Sequence, residues 1–222
     1  MRRAHPAVGA AFVASLLVAM TLTGPLLLFN PWTVAALQDR HEVTLLLGRD
    51  EGTVRQATNS YLADIWSDGA FAWPAPDGPP LLVDRERSHM TDVSRLVRIL
   101  AVVLAVGWLG IGLGAWAMRS EPRRVGRLMV LAAGVVGAVG VLAGVIFAVA
   151  FEPAFLAFHA VFFPPGTYLF EADSALIRLF PGGFWLDASL LAGAGVVLAA
   201  LIAGLVGWRL SRPGRPADRS RR

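Results

Sequence analysis

The sequence predicts an all-α fold: a polytopic four-helix transmembrane bundle with a small helical extracytoplasmic cap. Three observations carry that reading. Of 222 residues, 55% are hydrophobic, and the mean hydropathy is +0.58, which soluble domains rarely reach. The apolar residues gather into four runs, about 8–29, 96–118, 129–151 and 187–208. Each is long enough to cross a ~30 Å hydrocarbon core as a helix rising 1.5 Å per residue. The basic residues, all 20 of them arginine, are segregated between alternate connecting segments.

The first run follows Arg2 and Arg3 and leads into Asn30-Pro31-Trp32. It is long for a signal-peptide core and lacks a small-residue cleavage site, so it reads as a retained helix. The segment 30–95 is too long for a simple turn. Within it, Asn30-Pro31 signals a helix start ahead of "WTVAALQDRHEVTLLLG". "GRDEG" reads as a turn. "TVRQATNSYLADIW" sets Val54, Ala57, Tyr61 and Ile65 at helical spacing. "PAPDGPP" at 74–80 reads as an irregular crossing, and Ser88 as the cap of the helix that becomes the second span. After the third run, Phe151, Phe155, Phe158 and Phe162 recur at helical spacing until "PPGTY" breaks the pattern. "DSALIRLFPGGFWLD" then reads as a short interfacial helix, with Phe184 and Trp185 as anchors. Gly110 with Gly114, and Gly140 with Gly144, are small-residue pairs suited to close helix packing, within the bundle or between copies.

Charge orients the chain. The N-terminus carries +2, the loop 119–128 carries +3 and the tail 209–222 carries +5, whereas 30–88 carries −4 and 152–187 carries −3. An arginine excess marks cytoplasmic loops. Both termini and the loop 119–128 therefore read as cytoplasmic, and the segments 30–95 and 152–186 as outward-facing, in a plasma membrane. The basic balance reflects anionic lipid at the inner leaflet; no aromatic-interleaved basic patch points to nucleic acid.

With no cysteine, thiol catalysis, disulfides and thiolate metal sites are excluded. No His-Glu-x-x-His supports a metal, no Gly-x-Ser-x-Gly supports a serine nucleophile, and no phosphate-binding glycine loop is present. No cofactor is expected. Two histidines stand out, because the topology puts both on one side. His89 lies ahead of the second span, with Asp92 three residues on and able to orient an imidazole. His159 follows the third span within "FHAVFF", where poor hydration favours a neutral ring able to act as a base. Read residue by residue, each is also compatible with an ordinary interfacial histidine.

Together, the two stretches resemble a known family. "RERSHMTDV" (85–93) resembles a Glu-x-x-His-Met-x-Asp-Val signature. "FHAVFFPPGTYLFEADSALIRLFPGGFWLDA" (158–188) resembles a Phe-His-x-x-Phe-Phe signature with its downstream Asp, Leu-Ile, Pro and Phe-aromatic-x-Asp pattern. Both belong to the bacterial four-helix membrane family of the lipoprotein intramolecular transacylase. The resemblance implies an acyl shift on the outer face, in which a diacylglyceryl lipoprotein passes an ester-linked acyl chain to its own N-terminal cysteine amine. It implies His89 and His159 as the functional pair, and the chemistry of the residues suggests His159 as base and His89, oriented by Asp92, as acid, or the reverse. Asp173, Arg85 and Glu86 follow as supporting candidates, and diacylglyceryl lipoprotein and membrane lipid as partners. Two positions depart from the pattern: Ser94 stands where a basic residue is usual, and "PPGTY", with Tyr168, replaces a more polar stretch. The alternative is a non-catalytic lipid- or lipoprotein-binding protein of the same fold. A transporter subunit fits less well, since no charge lies deep within a span.

Overall fold

The computed structural model describes residues 5–74 and 78–213. Arg2, Arg3, part of the Pro-rich crossing and the tail beyond 213 lie outside the described residues.

Among these, nine helices and no strands are found. Four are long and apolar enough to cross a membrane: α1 (Pro6–Leu27), α5 (Asp84–Ala117), α6 (Pro122–Val149) and α9 (Gly182–Ser211). Helix α1 packs on α5, α6 and α9, and α6 lies along α9. The chain is thus a multi-pass membrane bundle.

The spans bury little of themselves. At most 22% of any apolar window is buried, and Val102, Val106, Leu109, Leu142, Leu198 and Leu201 are exposed on α5, α6 and α9. Lipid is as apolar as leucine, so these helices associate through close packing and not through burial from water. A Cβ on Gly126 would lie 2.4 Å from the Gly207 carbonyl oxygen, so α6 and α9 meet backbone to backbone there. Of the sequence pairs, Gly110 and Gly114 face Ser15 and Phe12 of α1, and Gly140 faces Val196 of α9. These are contacts within the bundle.

The densest core is instead at one end. Between α1 and α5 the chain forms α2 (Pro31–Arg40), α3 (Val43–Leu47) and α4 (Glu51–Ser67). Asn30 and Asp50 cap α2 and α4 by accepting from the Thr33 and Thr53 amides. The "WTVAALQDRHEVTLLLG" helix is interrupted at Glu42, which takes a left-handed conformation (φ 51°) and splits α2 from α3. Val34, Leu37, Val54, Ala57, Tyr61, Ile65, Phe71 and Leu82 form one cluster with Leu176, Leu179, Phe180 and Phe184 from the distant second segment. Phe184 is therefore a core residue and not an interfacial anchor: α8 (Ala175–Leu179) is a single turn capped by Ser174, and Pro181 already caps α9.

Two helices differ from the sequence reading in ways that matter for the site. Helix α5 starts at Asp84, so Ser88 lies inside it and caps nothing; Val83 is the N-cap, and the Glu86 carboxylate accepts from its amide at 2.9 Å. At 34 residues, α5 is about 51 Å long. Its charged first turns, through Arg95, stand beyond the apolar stretch that spans the membrane. Helix α6 ends where Ala150 leaves helical geometry (φ −140°, ψ 48°), and a separate α7 (Phe151–Phe162) follows.

Candidate functional site

The first turns of α5 and the last turn of α7 bring His89 and His159 together. Their rings stack with centroids 6.0 Å apart and planes 25° apart. Both are buried, at 6% and 9% exposure. Aromatic rings surround them. Phe163 contacts both histidines, at 4.9 Å from His89 and 5.4 Å from His159. Phe155 lies 4.1 Å from His159 and Tyr168 5.3 Å, while Phe170 lies 5.5 Å from His89.

The two imidazoles are held differently. His159 Nδ1 lies 2.8 Å from the Phe155 carbonyl, one helical turn back. A carbonyl oxygen can only accept, so Nδ1 carries the proton and Nε2 keeps its lone pair. Burial lowers the His159 pKa from its ordinary value, and the Phe155 bond opposes this. Burial also lowers that of His89, with the neighbouring His159 adding to the effect and Asp92 working against it, to about 4. Both rings are therefore neutral near pH 7. His89 Nδ1 is buried without a hydrogen-bond partner among the described residues.

The supporting candidates divide. Asp92 makes no hydrogen bond to His89; it pairs with Arg95 at 3.3 Å, because the i+3 guanidinium reaches it more readily than the i−3 ring. It acts on His89 only through its charge. Arg85 donates to the Gly166 and Leu169 carbonyls at 3.0 and 2.5 Å and lies over the Phe170 ring at 5.2 Å. It thereby fixes the loop that carries Tyr168 and Phe170. Glu86 is 1% exposed. One oxygen accepts from Val83 and the other from the Leu176 amide at 2.9 Å, so it ties the start of α5 to the start of α8. Asp173 is exposed, and it is its backbone carbonyl that accepts from Arg178. Ser94 is fully buried and donates to the Ile65 carbonyl at 2.9 Å, joining α5 to α4.

The sequence reading missed the Phe155 carbonyl, since a backbone acceptor leaves no residue signature, and it missed Phe170. It also left out a long-range polar tie: His41 Nε2 and Arg40 Nε both reach Asp187 Oδ2, at 2.9 and 2.8 Å. This joins the end of α2 to the first turns of α9. Among the described residues no three His, Cys, Asp or Glu side chains converge as metal ligands.

A family model described as "Lipoprotein intramolecular transacylase Lit" matches residues 11–185. The chain belongs to the Lit family. Its fold is that of Lit from Bacillus cereus, a membrane-integral lipoprotein intramolecular transacylase. The TM-score is 0.83 at 13% identity, over 92% of this chain and 94% of that one. A variant of that Lit with a histidine replaced by arginine superposes with a TM-score of 0.76 at 13% identity, over 92% and 91% of the two chains. An uncharacterized protein of Aquifex aeolicus (strain VF5) is 30% identical over 118 residues, 51% of this chain and 50% of the other. The chain thus aligns with about half the length of that curated relative. Both histidines fall within the matched residues.

Proposed function

We propose that this chain is a lipoprotein intramolecular transacylase that works by histidine acid–base catalysis on the outer face of the membrane. The observation that carries the proposal is the stacked His89–His159 pair, buried among aromatic rings with one ring nitrogen of His159 kept free to accept. The substrate is a diacylglyceryl lipoprotein. The α-amine of its N-terminal cysteine attacks an ester carbonyl on its own glyceryl group. A C–N bond forms, the C–O bond breaks, and one N–H proton passes through an imidazole to the departing alkoxide.

This route suits the chemistry of the pair. Nucleophile and ester belong to one molecule, so the reaction is intramolecular and requires no covalent enzyme intermediate. The amine has an ordinary pKa near 8 and attacks only when neutral. His159 Nε2 accepts the proton from the nitrogen in the tetrahedral intermediate, and the Phe155 carbonyl bond stabilises the imidazolium formed. With both pKa values lowered by burial, neither ring begins as the acid. The proton donated to the alkoxide is the one just taken from the amine, and His89, 6.0 Å away, is the second station for it. Aromatic walls exclude water, which would otherwise hydrolyse the ester.

The test is a reporter lipoprotein co-expressed with this chain, its N-terminal lipopeptide read by mass spectrometry. An N-acyl, monoacylglyceryl product that disappears with His89→Ala and with His159→Ala is the expected result. An unchanged diacylglyceryl lipopeptide beside well-expressed protein would overturn the reading in favour of a lipid-binding role for the same pocket.

A further inference from the structure

The end of the bundle opposite the histidines, about 40 Å away along α5, carries a second concavity. An open cavity of about 1030 Å³ lies between the start of α1, the α5–α6 loop and the end of α9. Arg123, Arg124, Arg127 and Arg212 line it, with His5 and one acidic residue, Glu121. Glu121 is engaged by Arg124 at 3.2 Å, so the lining keeps a clear positive excess. Arg123, Arg127 and Arg212 are exposed. Arg123 and Arg124 fall in the first turn of α6, and Arg127 one turn on, at the positive end of that helix's dipole. Cations there work against the dipole unless an anion is present.

A second observation sets the depth. Arg212 stacks on Trp208 at 3.4 Å and Arg119 on Trp116 at 4.7 Å. Both tryptophans are about half exposed or more, at 48% and 66%. Exposed Trp–Arg pairs at the ends of spanning helices mark the headgroup layer. The cavity therefore opens where lipid phosphates lie.

We infer that this cavity is a binding site for the phosphate headgroup of an anionic membrane lipid, held by Arg123, Arg127 and Arg212 with Arg124 beneath. The volume admits a glycerophosphate headgroup, and Pro6, Pro122 and Leu210 give the lining an apolar part.

Native mass spectrometry of the full chain in detergent, titrated with phosphatidylglycerol or phosphatidylcholine, tests this. Phosphatidylglycerol should be retained in preference, and the Arg123→Gln, Arg127→Gln, Arg212→Gln variant should lose at least about tenfold in its apparent affinity. A ten-millimolar excess of inorganic phosphate should leave the bound lipid in place. Equal retention of the two lipids by the native chain would overturn the proposal without recourse to any variant, as would an unaltered affinity in the triple variant. Displacement of the lipid by inorganic phosphate would make this a soluble-anion site instead. None of these readouts involves the histidine pocket, so the transacylase reading stands or falls separately.

Discussion

His89 and His159 stack on one another, yet they are supported in opposite ways. His89 rides on the 34-residue α5, whose first turns are tied to α8 through Glu86 and to α4 through Ser94. Its position is set by tertiary contacts, and its own Nδ1 has no hydrogen-bond partner among the described residues. His159 rides on the 12-residue α7, which packs mainly on the end of α6 and leaves Leu156, Phe158, Val161 and Phe162 exposed. Its ring is held locally, by a carbonyl four residues back in the same helix. The difference teaches that two stacked imidazoles can be held one by the fold and one by its own backbone, and that mutations around each should fail differently.

The sharpest way to break the comparison is at the rings. His159→Ala should lower transacylation by about 10²–10⁴-fold, the usual contribution of a general base, while thermal unfolding in detergent changes little. Retained activity with that variant would remove His159 from the chemistry. Next comes the α5 anchor. Glu86→Ala leaves the part-buried Val83 amide and the buried Leu176 amide without an acceptor, at about 1–3 kcal/mol for the buried one. The melting temperature should drop markedly, and activity should fall with it. Glu86→Gln keeps one acceptor oxygen and should recover about half the loss. Arg85→Ala frees the loop carrying Tyr168 and Phe170, and should reduce kcat by about tenfold through misplaced substrate with little change in melting temperature. Ser94→Ala, the smallest, removes one buried hydrogen bond and should cost about 1 kcal/mol by chemical denaturation.

Acid sharpens the same contrast. Both pKa values are lowered in the folded chain, His89 to about 4. Below the unfolded value of about 6.5 the unfolded chain therefore binds more protons. Stability should be level above that pH and should fall as pH drops from about 6.5 toward 4. His89→Phe should flatten this fall, raising the melting temperature at pH 5 relative to the native chain while abolishing transfer. An unflattened profile would mean that His89 is not the buried group whose protonation unfolds the protein.

Much of the architecture was legible in the sequence, because length and apolarity suffice for a span, and Asn30 announces α2 through a local hydrogen bond; Asp50, read as part of the "GRDEG" turn, proves to be the cap of α4. The topology set both histidines on one side and the paired motifs implied a functional pair, but that their rings stack was not legible. What could not be read was non-local or in the backbone. Ser88 looks like a cap, but Glu86 competes for the start of α5 because its second oxygen is satisfied 90 residues away, at Leu176. Asp92 looks like the partner of His89, but Arg95 is equally near in sequence and longer in reach. The break at Glu42 has no glycine to betray it.

The length of α5 has one more consequence. His89 lies seven residues before Leu96, where the apolar stretch begins, or about 10 Å farther out along the helix. A glyceryl ester in a resting bilayer sits at the edge of the hydrocarbon. On the proposed reaction, the substrate must be drawn partly out of its leaflet before its carbonyl can reach the imidazoles. The exposed phenylalanines of α7 give the rising chains an apolar surface to follow. Turnover should therefore respond to bilayer thickness and acyl length, which set the work of extraction, as much as to the identity of the peptide that bears the lipid.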